Sequence, residues 1–406
     1  MYLADMAAPD GLRALPDRAP RPALRPRYDV AVVGGGITGA ATAYHLASAG
    51  AAVVLLERSE VGTEASGRNA GSLHGQIQHE PFARRGETWA RAFLPALGFL
   101  TRSLERWATL SATLGADLEV TTNGGLLLVD DPAHLPTVEA KVALERECGI
   151  DARVLSRAEV RDLAPWVSPR VVGAGFSPIE GKANPMLATA AFARAAAAAG
   201  AEISTRTTVS EIEQERDALL VRTTRATLRA ERVVLASGND LGTHTRSLGT
   251  PLPVTAEPVQ VSATEPVAPL IKHLVYFAGA RLTLKQARVG SLLIGGGWPA
   301  RLHPDTGYPL VDVSSLRQNL AVAVRAVPRI ADALLLRSWA GIGNATPDLS
   351  PIVGALPGNA RVLVGIYPHM GLTAGPLMGE ALAALALGLA PPLDLAPFGA
   401  ERFLDR

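Results

Sequence analysis

Cysteine is all but missing from this chain of 406 residues. The single Cys148 excludes an internal disulfide framework and a cysteine-built metal cluster, and fits a reducing compartment. Charge of one sign is missing too. With 39 Lys and Arg against 38 Asp and Glu, the formal net charge is +1, so neither an acidic tail nor a nucleic-acid surface is indicated and a small partner is expected. Long hydrophobic runs are also lacking. The longest late apolar stretch, Ala381 to Ala390, is about half of the roughly 20 residues that span a bilayer, and reads as a core helix. The first 27 residues carry Arg13, Arg18, Arg21, Arg25 and Arg27 among many Pro and Ala, without the apolar run of a signal peptide. They read as a disordered leader, and a cytoplasmic location is expected.

What the chain does have is length and apolar residues, 48% of the total. A single core stops growing at roughly 250–300 residues, so two structural units are expected. The short β-rich run Tyr28 to Val33 ends in glycines, is followed by the helix former Ala40 to Ala47, stops at Gly50, and resumes as a buried strand from Ala52 to Glu57. That is a βαβ unit with a parallel strand pair. Residues 84–165 read as largely helical with one strand at Gly125 to Val129, and an Ala-rich helix runs over 185–200. From Glu257 to about Ile294 short apolar strands alternate with Gly, Pro and Lys, the pattern of an antiparallel sheet. The strand Val362 to Val364 and a helix from about Gly371 to Gly388 then return to the first unit.

Gly34, Gly36 and Gly39 have the spacing G-x-G-x-x-G between a strand and a helix. Gly34 allows the tight turn, Gly36 lets a pyrophosphate approach the backbone, and Gly39 lets helix and strand pack closely. The helix N-terminus, with Ile37 and Thr38, offers free N–H groups to the anion. Glu57 ends the second strand, where an acidic side chain accepts from ribose hydroxyls. The fingerprint alone does not separate FAD from NAD.

The polar loop Glu64-Ala65-Ser66-Gly67-Arg68-Asn69-Ala70-Gly71 follows directly. With it the sequence resembles the D-amino-acid oxidase superfamily, particularly its glycine oxidase, sarcosine oxidase and opine/hydroxyproline dehydrogenase branches. The loop resembles the family's S-x-x-N-x-G stretch; Glu180 to Pro185 looks like the motif before its central helix, Ala236-Ser237-Gly238 like its A-x-G turn, and Arg337 to Ile342 with Thr346-Pro347-Asp348 like its R-x-W-x-G…T-P-D block. The likeness runs from Tyr28 to about Gly388.

The resemblance implies an α/β protein with a discontinuous Rossmann-type FAD-binding domain over 28–83, 166–240 and 331–406, and a substrate domain with an antiparallel sheet over 84–165 and 241–330. Non-covalent FAD is expected, because Cys148 lies in the wrong region for a flavin thioether. The implied contacts are the glycine turn with Ile37 and Thr38, then Glu57 and Arg58, then Ser66, Arg68, Asn69, Ala70, Gly71, Ser72 and Leu73. Val209, Ala236, Ser237, Gly238 and Gly341 follow, with Gly371, Leu372 and Thr373 opening the last helix, whose positive end suits a flavin edge that becomes anionic on reduction.

The implied reaction is oxidation of the C–N bond of a small amine or amino acid by hydride transfer to flavin, then imine hydrolysis. In glycine and D-amino-acid oxidases an arginine after the tryptophan-alanine-glycine step grips the substrate carboxylate. Here Gly343 stands at that place, followed by Asn344. This turns the expectation toward a secondary amine such as an N-substituted glycine or a cyclic amino acid. Candidate substrate-side residues are Lys285 and Arg281, which share a strand face with Thr283, together with Tyr276, His369 and His74. The electron acceptor is O2 or a partner protein; an FAD subunit of a heteromeric dehydrogenase, a non-catalytic FAD-binding protein and an NAD-dependent dehydrogenase are the rivals.

Overall fold

At the centre of the first sheet the apolar runs 30–33, Val53–Leu56 and 233–235 are buried throughout, as expected of parallel strands covered on both faces. The structure, a computed structural model, describes residues 23–404. The expected leader therefore lies outside the described residues as far as position 22, and Arg27 already begins a strand. Arg27–Val33 pairs in parallel with Val53–Leu56 on one side and Thr227–Leu235 on the other. Glu202–Ser204 and Asn359–Ile366 extend the parallel order outward, and Ile352–Leu356 closes one edge antiparallel.

Alternate residues of the first strand face opposite layers. Val30 and Val32 pack into a core shared with the helices Ile37–Ser48, Pro185–Ala198 and Gly371–Ala386. Ala31 and Val33 face a second core under the strands Val209–Gln214 and Leu219–Thr223. The first and last of those helices approach closely because glycines sit at their crossing. A Cβ on Gly375 would meet Ile37 Cγ2 at 2.5 Å, and one on Gly379 would meet Ala41 Cβ at 2.4 Å.

The second sheet runs in the order Leu335–Ala345, Thr255–Pro266, Ser291–Gly295, Ala280–Gln286, Leu274–Phe277, Gly125–Val129, Gly173–Ser177, Arg153–Ser156. Every pairing is antiparallel except that of Leu274–Phe277 with Gly125–Val129. A long helical segment, His79–Thr113, is broken at Gly86, where φ is +77°. It binds the two units together, since Ser103 Oγ and Trp107 Nε1 both donate to Thr373 O on the last helix. No helix among the described residues is long and apolar enough to cross a membrane.

The mixed α/β architecture with a parallel and an antiparallel sheet is as expected from the sequence. Sheet membership departs from the expected segments in two places. Gly173–Ser177 and Leu335–Ala345 lie in the second sheet, although the boundaries at 165/166 and 330/331 put them with the nucleotide unit. Their partners, Gly125–Val129 and Thr255–Pro266, are far away in sequence. Arg153–Ser156 is a further strand inside the stretch read as helical with one strand.

Candidate active site

One cavity of about 820 Å3 opens where the carboxyl ends of the parallel strands meet the second sheet. Val33, Leu56 and Ala236 close it on one side, and Tyr276, Phe277 and Leu282 on the other. Ligands of open α/β sheets bind in this position, outside the strand ends.

At the nucleotide end Gly34, Gly36, Ile37 and Thr38 line the cavity. Gly34 has φ +106° and its backbone lies so near the next strand that a Cβ would stand 2.5 Å from Ala236 O. Gly39 does not face the cavity; a Cβ there would stand 1.9 Å from Gly34 O, so its part is helix–strand contact. No acidic side chain occupies the first turn of Ile37–Ser48, and the Ile37 N–H donates to Ser66 Oγ at 3.0 Å. Glu57 Oε2 accepts from Gly35 N and Oε1 from Ser59 N, each at 2.6 Å. Arg58, beside it, pairs with Asp240 at 2.5 Å.

Ser66, Arg68, Asn69, Ala70 and Ser72 line the middle of the cavity, with Val209, Ser237, Gly238 and Gly341 across from them. Arg68 is held by Thr63 O and Ala340 O. Gly71, Leu73 and Thr373 lie behind the wall. Gly71 has φ +76° and Leu73 is fully buried where Ser72–Leu73 pairs with Gly181–Lys182. Thr373 ties that pair to the last helix: its Oγ1 accepts from His74 N at 2.9 Å and donates to Ser72 O at 3.4 Å. Gly371 and Leu372 do face the cavity, at the amino end of a 16-residue helix.

Of the substrate-side candidates, Tyr276, Arg281, His369 and His74 line the cavity and Lys285 does not. Arg281 is exposed on the rim and makes two 3.1 Å bonds to Glu80, besides donating to Gly297 O. His369, with φ +57°, stands 3.5 Å from Glu257. The expectation that Lys285 reaches into the cavity is corrected by the strand's course. It shares a face with Arg281 and Thr283, but by Lys285 the strand has passed under the cavity floor, where Nζ donates to Ser72 Oγ at 2.6 Å. Burial, with Lys182 nearby, lowers the Lys285 pKa to about 7.

Sequence reading missed the polar core behind His74. Tyr276 Oη lies 2.8 Å from His74 Nδ1 and 2.8 Å from Glu180 Oε1. Glu180 is wholly buried and also accepts from Gly75 N at 2.7 Å and from Gln76 Nε2 at 2.5 Å. Gln76 Oε1 accepts from buried Lys141, whose second partner is Glu145 at 2.6 Å. Burial raises the Glu180 pKa to about 7, against the pull of these donors and of Lys141. Burial, then Lys285 and His369, lower that of His74 to about 3, so the imidazole is neutral. Glu180 sits in the quoted Glu180 to Pro185 motif, and the one sequence signal was an acid directly before Gly181.

At Gly343, which lines the cavity, a Cβ would find Glu257 O at 3.4 Å and Val259 Cγ2 at 4.0 Å, which is ordinary contact. A side chain is therefore absent from this wall without being excluded by it. Asn239 Oδ1 and Asn344 Oδ1 are buried and without a partner among the described residues, and both side chains line the cavity. A long, partly polar ligand fits: a glycine turn and helix N-terminus for a pyrophosphate, a carboxylate for a ribose, orphaned acceptors along the wall, and a helix end for a flavin edge. Cys148 is elsewhere, at the end of the helix Leu135–Glu147.

Residues 29–385 match the family described as FAD dependent oxidoreductase, DAO. The chain is 30% identical to a glycine oxidase of Geobacillus kaustophilus, over 94% of this chain and 98% of that protein. It is 28% identical to a sarcosine oxidase subunit beta of an Arthrobacter species, over 94% and 92%. The crystal structure of the Geobacillus kaustophilus glycine oxidase superposes with a TM-score of 0.81 at 26% identity, covering 94% of this chain and all of that one. Fold, cavity and these similarities agree: the chain belongs to the DAO family of FAD-dependent oxidoreductases, and FAD is its cofactor.

Proposed function

We propose that the protein oxidises the C–N bond of a small secondary amine bearing a carboxylate, such as an N-substituted glycine or a cyclic amino acid. FAD supplies the hydride acceptor, and the resulting imine hydrolyses to a carbonyl compound and a smaller amine. The residues proposed to hold FAD are the glycine turn, Glu57, the loop from Ser66 to Ser72, and the amino end of Gly371–Ala386. The observation that carries the substrate class is Gly343: where glycine oxidases and D-amino-acid oxidases resemble one another in a carboxylate-gripping arginine, this cavity wall carries no side chain. The likeness to a sarcosine oxidase subunit supports an N-substituted substrate.

The protein's own part is to aim the carbon, exclude water and leave the nitrogen neutral, since an ammonium does not release hydride. Tyr276 and His74 form the polar wall against which the nitrogen would rest, and Arg281 with Glu80 closes the rim. A cytoplasmic site of action belongs to this reading and is supported by the near absence of cysteine.

The test is the visible spectrum of the purified protein under anaerobic conditions, before and after glycine, sarcosine, D-alanine, D-proline and N-carboxymethyl amino acids with apolar groups. Bleaching by the secondary amines alone is expected; bleaching by glycine and D-alanine in preference would overturn the substrate class. The subunit likeness also favours a second reading, in which electrons pass to a partner protein instead of O2. Slow recolouring in air would support that reading, and fast recolouring an oxidase.

A further inference from the structure

We propose that His74, Tyr276 and Glu180 form a proton relay that takes the proton from a substrate ammonium at the cavity wall and stores it on the buried Glu180 carboxylate. The inference rests on amine oxidation being the reaction. Its geometric basis is a continuous chain: His74 lines the cavity, its Nδ1 is 2.8 Å from Tyr276 Oη, and that oxygen is 2.8 Å from Glu180 Oε1.

The proton count closes without charging either ring. With Glu180 ionised, Tyr276 donates to the carboxylate, so His74 must donate from Nδ1 to the tyrosine oxygen, which leaves Nε2 as the ring nitrogen with a free lone pair. A proton accepted at Nε2 lets Nδ1 release its own to Tyr276, which releases its own to Glu180. One proton enters, one O–H forms on Glu180, and the hydrogen bonds reverse direction. His74 ends as the other neutral tautomer.

The surroundings suit this traffic. Lys285 and His369 face His74 and oppose an imidazolium there, so the proton does not rest on the ring. Glu180 and Glu145 face Tyr276 and oppose a phenolate. Around Glu180, burial disfavours the carboxylate, while the Gly75 N–H, Gln76, Tyr276 and Lys141 beyond them favour it in part. The side chain is seated closely, since a Cβ on Gly125 would stand 1.7 Å from Glu180 Oε2. Burial poises the acceptor near neutrality, with a pKa of about 7, the range in which a general base works best.

Two measurements test the relay. In 15N-histidine NMR of the holoenzyme without substrate, one histidine should change from the Nδ1–H to the Nε2–H tautomer as pH falls through about 7, with no imidazolium. The change should vanish in Tyr276→Phe, which breaks the chain and leaves the carboxyl, and in Glu180→Gln. A His74 that keeps one tautomer throughout, or that titrates to imidazolium, overturns the relay. In anaerobic reduction by a secondary amine, Tyr276→Phe should lower the rate constant per substrate concentration about a hundredfold near pH 7, with the deficit shrinking as pH approaches the amine's own pKa. An equal loss at every pH overturns it. If no amine reduces the wild-type protein at any pH, the reading of function fails, and the tautomer change still decides the relay.

Discussion

Lys285 Nζ lies 2.6 Å from Ser72 Oγ in a fully buried site, with no carboxylate paired to it among the described residues. Its charged neighbour is another cation, Lys182, whose own Nζ is held by Gln286 O. The Lys285 pKa, about 7 in the folded chain, is below the 10.5 of an unfolded lysine. Between those two values the unfolded chain binds more protons, so this group makes stability rise with pH from about 7 toward 10.5. Lys285→Met should therefore be more stable than the wild type near pH 7, with the difference narrowing toward pH 10. Urea unfolding across that range checks it, and a difference that does not change with pH would show that the lysine is not buried as described.

Gly34→Leu should lose FAD. The new Cβ would stand 2.5 Å from Ala236 O at a φ of +106°, which no L side chain adopts easily. Flavin absorbance after desalting measures the loss, with circular dichroism to show that the chain still folds; a variant that stays fully yellow would remove Gly34 from the cofactor site.

Gly343→Arg should convert the substrate preference. The backbone there accepts a side chain in ordinary contact, and a guanidinium on the cavity wall can fork onto a carboxylate. A charge-assisted bond of about 1.5–3 kcal/mol corresponds to roughly a ten- to hundredfold lower KM for glycine or D-alanine. Unchanged KM for both, with FAD retained, would mean that the carboxylate lies elsewhere.

Thr373→Val keeps the shape of a buried side chain and removes the acceptor of the His74 N–H. An unpaired buried donor costs about 1–3 kcal/mol, so the urea midpoint should fall accordingly. No change in midpoint would mean that water or another group replaces Thr373.

What could be read from the sequence was what is local in it. Gly34, Gly36 and Gly39 with their flanking strand and helix are contiguous, and the alternation from Arg281 to Lys285 gives a strand face. Alternation says nothing about where the strand runs beneath another loop, which is why Lys285 was expected in the cavity. The partners of Glu180 were hidden for the same reason. Its partners Gln76 and Tyr276 are 104 and 96 residues away, and only folding tells a paired buried acid from a surface one. The strands Gly173–Ser177 and Leu335–Ala345 went to the unexpected sheet because edge and partner are set by distant pairings.

The crossing of Ile37–Ser48 with Gly371–Ala386 has a consequence for biosynthesis. The glycine turn emerges from the ribosome early, while the helix that forms the far wall of its cavity, and the strand Asn359–Ile366 beside Thr227–Leu235, come late. At about 5–20 residues per second that interval lasts tens of seconds. During it the glycine turn exists without the wall that completes its cavity, so the cavity is whole only after Gly371–Ala386 has been made.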